Sequence, residues 1–403
     1  MAQATTVTVE IEKLVYGGDG LGRSDGQVVL APFVLPGEHV EVQASRVKNG
    51  LLRGTGAQIL SASPERIPPL CEYFANCGGC HYQQAHYDFQ LRQKQAILRE
   101  TLQRLGGIAH EDEIGLVSAE PWHYRNRIQL HFAKRRVGFR KPDSHELCAI
   151  THCPISSPRL NEVIAKFVWA VNQREWPGFL QSLEIFTNEK DVQLSVTDST
   201  RPVAARFFTW CGTFIEGLAP GPIKYTAAGH PFRIGGGSFF QVNRFLIEAL
   251  VTTALGDAGG EYAVDLYAGV GLFSLPLAKR FRRVDAVERG TSAFRDLEHN
   301  AGEHNIQCVK SQTEDYLNRL HAKPDIILAD PPRAGLGPET TRAILSVAPD
   351  RLTLVSCDPA TLARDLKMLL PVYQIEKLTL VDLFPQTYHF ETVVHLVRAR
   401  SGF

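Results

Sequence analysis

The sequence lacks the features that mark membrane and secreted proteins. No apolar run among the 403 residues approaches the roughly 18 needed to span a bilayer. The first fifteen residues alternate polar and apolar side chains and include Glu10, Glu12 and Lys13, which argues against a secretory signal. Basic and acidic residues balance at 43 each, so no global charge indicates a nucleic-acid partner. We therefore expect a cytoplasmic protein without a membrane partner, in which only local basic patches could bind nucleic acid.

Length and composition indicate a multidomain globular protein. A chain of 403 residues exceeds one ordinary hydrophobic core. Its 44% hydrophobic and 21% charged residues are typical of a folded, water-soluble chain. Eight cysteines in a cytoplasmic protein are expected to be thiols or metal ligands rather than disulfides. We predict three domains, over residues 1–62, 63–234 and 235–403.

Residues 1–62 have the pattern of a small β-barrel. Thr6–Ile11 alternates with a period of two, a Gly-Gly-Asp-Gly turn cluster follows, and Gln27–Val34 and Val40–Val47 have the pattern of further strands. The stretches Val15–Arg23 and Val34–Glu38 resemble a TRAM domain, a small RNA-binding barrel that precedes many RNA-modifying enzymes. Three basic residues near the third turn either contact phosphate or stay in solvent: Arg46, Lys48 and Arg53.

Three cysteines within ten residues open the middle region. They are Cys71, Cys77 and Cys80, and two glycines between the last two let the backbone bend tightly, which is typical of a cluster or metal loop. A fourth thiolate is required. Cys153 is the best candidate because a proline follows it, as one follows the last ligand in bacterial ferredoxins, and Cys148 is the alternative. Four thiolates suit a [4Fe–4S] cluster or zinc, but structural zinc usually has two C-x2-C pairs, so iron–sulfur is favoured.

Basic and aromatic residues follow the cysteine loop. A helix is predicted over Gln83–Leu105, and Gly106-Gly107 should stop it. The stretch Trp122–Phe132 then alternates like a strand and is followed by Lys134–Arg136 and Arg140–Lys141. Basic side chains can bind backbone phosphates while aromatic rings stack on bases, so we predict RNA contact in this stretch. A solvated hairpin tip is the alternative for Lys134–Arg136. Between residues 160 and 230 we predict one helix, Leu160–Val171, and several strands.

From about residue 235, strands alternate with helices, which predicts a doubly wound α/β domain. Ala263–Phe273 reads as a strand, a turn containing Gly269 and Gly271, and a helix start, and a second strand ends at Glu288. The glycines would let the backbone approach a nucleotide, while the acid would bond ribose hydroxyls. No third glycine follows at dinucleotide spacing, and Asp265 precedes the turn. Together these features favour S-adenosylmethionine over NAD.

Two further strands end in reactive groups. Ile326–Ala329 ends at Asp330, which is followed by two prolines and Arg333. Amino methyltransferases have an aromatic residue at that last position, so the arginine argues against methylation of an amine. Leu352–Val355 is the core of a buried strand, and Cys357 follows its end. Ligand sites open at the carboxyl ends of such strands.

A helix is predicted to start directly after Cys357. Asp358 is a natural N-cap and Pro359 a natural first helical residue. The positive end of the helix dipole is expected to lower the pKa of the Cys357 thiol from its free value of about 8.5.

The last strand is predicted to return a carboxylate to the same edge. Asp382–Leu396 reads as a turn entering a strand, which places Glu391 near Cys357 and Asp330. A thiolate, a carboxylate and a methyl sulfonium suit one reaction. Addition of the thiolate to C6 of uracil makes C5 nucleophilic toward the methyl group, and the carboxylate then removes the C5 proton. The target base must leave its stack to reach the thiolate.

These motifs make the chain similar, over nearly its whole length, to RNA uracil-5-methyltransferases of the TRAM-containing, iron–sulfur type, and most similar to the bacterial 23S rRNA enzymes. The resemblance implies a class I methyltransferase domain after a barrel and a central α+β domain with a four-cysteine cluster. It implies S-adenosylmethionine and a [4Fe–4S] cluster as cofactors. It also implies an RNA partner, 23S rRNA ahead of tRNA, and a monomeric enzyme.

The resemblance assigns roles to individual residues. Cys357, in the S-C-x-P stretch, matches the nucleophile, and Glu391, in F-P-x-T-x-H-x-E, matches the base. The cofactor and target-base pocket would be lined by Gln241, Tyr267, Gly269, Gly271, Glu288 and Asp330, with Gln312 near the adenine. The cluster ligands would be Cys71, Cys77, Cys80 and Cys153.

The chain departs from the family pattern at two positions. Leu272 stands where several members have Asn or Thr, so a side-chain contact to the cofactor is not expected there. Gln386 replaces a common histidine, which leaves the role of that position open.

Three alternatives remain from the sequence. A tRNA T-loop uridine would be methylated by the same chemistry. A non-catalytic iron–sulfur RNA-binding protein is disfavoured by the intact Cys357 and Glu391. Methylation of a protein or small molecule is disfavoured by the barrel and the basic-aromatic strand.

Overall fold

A computed structural model describes residues 5–46 and 50–399, so Lys48 lies outside the described residues. The chain divides into two compact units. The first comprises Met1–Leu98, Gly138–Pro154 and Phe384–His389, and the second comprises Arg99–Val137, Ile155–Leu383 and Phe390–Phe403. Within the described ranges, no helix is long and apolar enough to cross a membrane.

The described regular elements are as follows. The strands are β1 (Thr5–Leu14), β2 (Asp19–Ser24), β3 (Gln27–Pro32), β4 (His39–Arg46), β5 (Leu52–Ser61), β6 (Gly115–Val117), β7 (Arg127–Ala133), β8 (Arg136–Arg140), β9 (Leu147–Ala149), β10 (Leu180–Thr187), β11 (Val192–Ser199), β12 (Ile223–Ala227), β13 (His230–Ile234), β14 (Gly260–Leu266), β15 (Phe281–Glu288), β16 (Ile306–Lys310), β17 (Ile326–Ala329), β18 (Arg351–Ser356), β19 (Tyr373–Val381) and β20 (Glu391–Arg398). The α-helices are α1 (Tyr87–Thr101), α2 (Pro158–Ala170), α3 (Ala205–Cys211), α4 (Ile247–Leu255), α5 (Ser274–Ala278), α6 (Thr291–Ala301), α7 (Thr313–Asn318), α8 (Gly337–Val347) and α9 (Pro359–Leu369).

The first five strands form the predicted barrel, which closes in the order β1-β2-β3-β5-β4. Alternate side chains point inward, so Val9, Ile11, Val29 and Val42 are almost fully buried. The barrel needs a glycine at Gly22, because a Cβ there would lie 2.2 Å from a backbone oxygen of the neighbouring strand.

Helix α1 is shorter than the sequence predicted. It begins at Tyr87 because the preceding residues form turns, with the Ala85 amide donating to the Tyr82 carbonyl. A π-helical turn, Leu102–Gly106, follows it. Gly107 then ends the helical run in a left-handed conformation with φ of 70°, as the predicted glycine stop requires.

The second unit contains an antiparallel layer in which β10 pairs with both β7 and β11. The prediction of a single helix between residues 160 and 230 is wrong, because α3 is also present and buries Phe207 and Cys211. The strand predicted over Trp122–Phe132 begins only at Arg127, since the Asn126 amide instead donates to the Val242 carbonyl.

The sheet of the C-terminal half has the order β16-β15-β14-β17-β18-β20-β19-β6. Pairing is parallel from β16 to β18, while β20 runs antiparallel between β18 and β19. This is the doubly wound arrangement that the alternating strands and helices predicted. The edge strand β6, which pairs with β19, was not predicted from the sequence.

Candidate active site

Four parallel strands end along one edge of the sheet. Leu266 at the end of β14 pairs with Val287 of β15 and with Ala329 of β17, and Ala329 pairs with Leu354 of β18. The residues that follow these strand ends therefore share the carboxyl edge, where ligands bind in open α/β sheets.

Glu391 reaches this edge because β20 runs in the opposite direction. Ser356 pairs with Thr392, so Cys357 and Glu391 occupy the next positions along two neighbouring strands. Glu391 is only 6% exposed, and its Oε2 is buried without a hydrogen-bond partner in the part of the chain that the structure describes. An unpaired buried carboxyl oxygen is costly, which is a common feature of sites that bind a ligand.

The predicted helix start after Cys357 is confirmed. The Asp358 carboxylate accepts hydrogen bonds from the Ala360 and Thr361 amides at 2.9 and 3.0 Å, and Pro359 is the first helical residue. Helix α9 buries Leu362, Leu366 and Leu369 along one face. The cap and this apolar face together fix the turn that follows Cys357.

The expectation of a lowered thiol pKa is wrong. Burial, together with the carboxyls of Glu391, Asp330 and Asp358, raises the pKa of Cys357 to about 12 against the opposing effect of Arg333. The helix dipole does not prevail because its first amides already bond the Asp358 carboxylate, whose negative charge offsets their positive end.

The two neighbouring carboxyls also favour their neutral forms. Burial raises the pKa of Glu391 well above its usual range, Asp330 adds to the increase, and Arg333 opposes it. Burial raises the pKa of Asp330 to about 7. Near neutral pH Glu391 therefore favours its neutral form and Asp330 is close to the midpoint of its titration, because burial penalises the charged form of each carboxyl.

Arg333 was not assigned a role here from the sequence. Its side chain is exposed, and its positive charge lowers the pKa of both Cys357 and Glu391. The sequence did contain a signal for this role, because Arg333 comes three residues after Asp330, which directly follows β17.

The glycine turn after β14 has the backbone of a ligand-binding turn. Gly269 and Gly271 have φ values of 57° and 92°, and Tyr267 has a φ of 61° that side chains rarely adopt. A Cβ on Gly271 would lie 3.0 Å from two leucine side chains. Asp265 is fully buried beneath the turn, where it accepts a hydrogen bond from the Ser274 hydroxyl, and burial raises its pKa to about 7.

Glu288 lies beside this turn at the end of β15. Its carboxylate accepts hydrogen bonds from the Gly269 and Gly290 amides at 3.0 and 2.5 Å. The sequence-predicted acid and the glycine turn are thus in direct contact, which is the arrangement a ribose-binding acid requires.

The other predicted pocket residues differ in their burial and in their hydrogen-bond partners. The Tyr267 hydroxyl is 3.4 Å from Thr340 Oγ1, and Leu272 is buried. Gln312 is exposed at the start of α7, where its side-chain oxygen accepts from Arg289 at 3.4 Å. Gln241 is buried, and its backbone carbonyl accepts from the Asn126 amide group at 3.2 Å.

The cysteine loop belongs to the first unit. Hydrogen bonds join it to the segment that contains the two candidate fourth ligands: the Tyr73 hydroxyl lies 3.1 Å from Thr151 Oγ1, and the Asn76 amide donates to Cys148 Sγ at 3.5 Å. Burial raises the pKa of Cys77 to about 12, and Cys153 raises it more than Cys148 does. The structure therefore brings both candidate cysteines to the loop.

No group of three or more His, Cys, Asp or Glu side chains in the described ranges is arranged to hold a metal ion. The predicted cluster ligands are in neighbouring segments, but the structure does not show a metal site.

Gln386, which departs from the family pattern, also lies in the first unit. Its side-chain oxygen accepts from Gln90 at 3.0 Å, and its backbone carbonyl accepts from the His81 and Tyr82 amides. Its φ of 67° lies in the left-handed region. Gln386 thus fixes the backbone directly after Cys80.

The basic residues divide into paired and exposed groups. Arg127 is buried, donates to Glu184 Oε1 and to the Ser238 carbonyl, and lies over the Phe186 ring. Arg53 pairs with Asp143 and Asp19. Three exposed basic residues lie at the turn between β7 and β8: Lys134, Arg135 and Arg136. Lys134 and Arg135 have left-handed φ values.

Comparison with known proteins identifies the family. Residues 229–399 match the tRNA (Uracil-5-)-methyltransferase family, and residues 3–55 match the TRAM domain. An RNA methyltransferase of Thermotoga maritima is 33% identical over 97% of this chain and 98% of the relative. An RNA methyltransferase of Aquifex aeolicus is 31% identical over 96% and 97%.

A solved structure agrees with these matches. The Pyrococcus abyssi tRNA (uracil-54, C5)-methyltransferase, in complex with S-adenosyl-L-homocysteine, superposes with a TM-score of 0.74 at 25% identity, over 96% of this chain and all of that one. The chain therefore belongs to the family of RNA (uracil-5-)-methyltransferases, which are class I enzymes.

Proposed function

We propose that the chain methylates C5 of a uridine in structured RNA, with S-adenosylmethionine as the methyl donor. The observation that supports this most strongly is the adjacency of Cys357 and Glu391 on two antiparallel strands, at the edge that also carries the glycine turn. A nucleophile and a proton acceptor at one site are what C5 methylation needs.

The residues act in sequence. The Cys357 thiolate adds to C6, which leaves negative charge at C5, and C5 then takes the methyl group from the sulfonium. Glu391 accepts the C5 proton, the electrons of that bond restore the C5–C6 double bond, and the Cys357–C6 bond breaks to release the thiolate. The products are 5-methyluridine and S-adenosylhomocysteine.

The raised pKa values imply that this site is activated by its ligands. Cys357 and Glu391 are both driven toward their neutral forms by burial and by the carboxyls around them. Cys357 must lose its proton to solvent before it can attack, and Glu391 must be ionised before it can accept the C5 proton. Because opposite charge favours the ionised form, Arg333 and a bound sulfonium would both promote that loss.

Seven residues would hold the cofactor or the target base. The glycine turn leaves room for backbone contact, and Glu288 can accept from ribose hydroxyls next to it. The set is Gln241, Tyr267, Gly269, Gly271, Glu288, Gln312 and Asp330.

We propose 23S rRNA as the substrate and a cytoplasmic monomer as the active form. The barrel that matches the TRAM domain and the exposed basic turn support an RNA partner. A tRNA T-loop uridine is the second candidate, since the similar Pyrococcus abyssi enzyme acts on tRNA.

We also propose that Cys71, Cys77, Cys80 and Cys153 ligate a [4Fe–4S] cluster. The hydrogen bonds between the loop and the Thr151 region support this set, as does the stronger effect of Cys153 on its neighbours. A bound cluster would hold these segments together, and no step of methyl transfer passes through it.

The test uses RNA in which 5-fluorouridine replaces uridine, because fluorine cannot leave as a proton and the covalent adduct persists. The wild-type protein with S-adenosylmethionine should form an adduct that resists denaturation. Cys357→Ala should form none, whereas Cys308→Ala, a control on the edge strand β16, should react normally. An adduct with Cys357→Ala would remove this nucleophile from the mechanism. Comparing 23S rRNA fragments with tRNA in the same assay identifies the substrate.

A further inference from the structure

Asn300, near the end of helix α6, lies between the glycine turn and the segment that leads to Gln241. It is 9% exposed. Its Oδ1 accepts from the Arg233 amide at 2.7 Å, and its Nδ2 donates to the Arg233 carbonyl at 3.0 Å. The same Nδ2 donates to the Val270 carbonyl at 2.9 Å, inside the glycine turn. One amide side chain thus satisfies backbone groups of both segments.

A second residue of α6 fixes the segment after β13. The buried Asp296 carboxylate accepts from the Gly235 amide at 2.6 Å and from the Ser238 hydroxyl at 2.7 Å, and it pairs with Arg233. Ser238 is followed by the exposed Phe239 and by the buried Gln241. These charge-assisted hydrogen bonds to Asp296 hold the glycine-rich segment in one conformation.

Helix α6 also packs directly on the glycine turn. A Cβ on Gly271 would lie 3.0 Å from Leu297 Cδ1, so Leu297 closes the space behind the turn. Because Asn300 holds the Val270 carbonyl on the α6 side, the orientation of this peptide in the turn is fixed. Orientation matters here since small misplacements of a bound reactant lower the rate of reaction strongly.

We propose that Asn300 is a positioning residue that sets the cofactor turn and the Gln241 segment relative to each other. This rests on the proposed function, in which the turn and Gln241 are among the residues that hold the cofactor or the target base, and it assigns the turn to the cofactor and the Gln241 segment to the base. Loss of the Asn300 side-chain amide would disturb both the cofactor turn and the Gln241 segment. Loss of Ser238 Oγ would disturb only the base side, because within the described ranges this hydroxyl bonds Ser292 and Asp296 of α6 rather than the turn.

The test measures the Kd of S-adenosylhomocysteine by calorimetry and the KM and kcat for RNA, in variants whose folding is checked by thermal unfolding. Asn300→Ala should weaken S-adenosylhomocysteine binding and raise the RNA KM, each by at least about fivefold, the cost expected for buried hydrogen bonds left unpaired. Ser238→Ala should raise the RNA KM and leave the Kd within about twofold of wild type.

Asn305→Ala is the matched control. Asn305 also donates to two backbone carbonyls, those of Phe281 and Arg282, which belong to β15 and to neither of the two segments. It should lower stability and leave Kd and KM unchanged. If Asn300→Ala does not fold, Asn300→Asp serves, since it keeps the acceptor for the Arg233 amide but removes the donor to the Val270 and Arg233 carbonyls, so the turn loses its bond to the side chain of residue 300 and the Arg233 side keeps one. It should weaken S-adenosylhomocysteine binding more than it raises the RNA KM.

A folded Asn300 variant with wild-type Kd and KM would overturn the proposal, and so would an Asn305→Ala variant with the same losses as Asn300→Ala. Binding of S-adenosylhomocysteine does not depend on uridine chemistry. A wild-type protein that binds it but forms no fluorouridine adduct would therefore refute the proposed function without deciding the role of Asn300.

Discussion

The edge around Cys357 and the loop around Cys77 both bring thiols close to other ionisable groups, but they do so by different means. At the edge, Cys357 and Glu391 are brought together by strand pairing, which fixes their backbones on both sides. In the loop, Cys71 to Cys80 contain no regular element, and the segment is held by turns and by side chains such as Tyr73 and Asn76. A sheet can hold a site in place without its ligand, whereas an irregular loop depends on whatever it binds.

The largest expected effect concerns the edge. Glu391→Gln should lower turnover by about 10²–10⁴-fold, because a positioned base contributes about that much to proton transfer. Addition and methylation should persist, so a methylated covalent adduct with ordinary uridine RNA should accumulate on denaturing gels. Glu376→Gln, on the neighbouring strand β19 and in an exposed ion pair, is the control with normal turnover. Normal turnover of Glu391→Gln would refute its assignment as the base.

Removing one cysteine tests whether the loop depends on a ligand. Anaerobically purified wild-type protein should be brown and hold about four iron atoms per chain. Cys153→Ala should lose the iron, while Cys148→Ala, the neighbouring buried thiol, should keep it, as measured by metal analysis and visible absorption. The edge should be unaffected in its fold, so S-adenosylhomocysteine should still bind. A colourless protein that contains stoichiometric zinc would contradict the iron–sulfur proposal.

The raised pKa of Cys357 predicts a specific pH dependence. Below its pKa of about 12 the fraction of thiolate rises tenfold per pH unit, so in the ligand-free protein the rate at which iodoacetamide alkylates Cys357, measured by mass spectrometry of its peptide, should rise throughout pH 7–9. A free thiol would level off above its pKa of about 8.5. A plateau below pH 9 in the ligand-free protein would contradict the raised pKa, whereas saturating S-adenosylmethionine should shift the rise to lower pH because its sulfonium favours the thiolate.

The smallest expected effect separates the two roles of Asp358. Asp358→Ala removes the cap of α9 and should lower the free energy of unfolding by about 1 kcal/mol, measured by denaturant titration. Asp358→Asn keeps a good cap and removes the negative charge that raises the Cys357 pKa. It should be nearly as stable as wild type and form the adduct faster at pH 7. Equal stability of the two variants would contradict the capping role.

Sequence patterns predicted the elements whose causes are local or topological. The N-cap at Asp358, the glycine stop after α1 and the return of Glu391 follow from capping, backbone conformation and strand order. The pKa of Cys357 did not follow, because it depends on burial and on charges from three separate chain segments. Strand β6 was missed since three residues are too short to show a period, and they join the sheet only through tertiary pairing with β19.

The pairing of Ser356 with Thr392 has a consequence for how this chain can change over evolution. A strand that slips by one residue turns every side chain to the opposite face. A single inserted or deleted residue within β18 or β20 would therefore separate Cys357 from Glu391 even if both were retained. Evolution must therefore conserve the number of residues in β18 and β20 as strictly as it conserves Cys357 and Glu391.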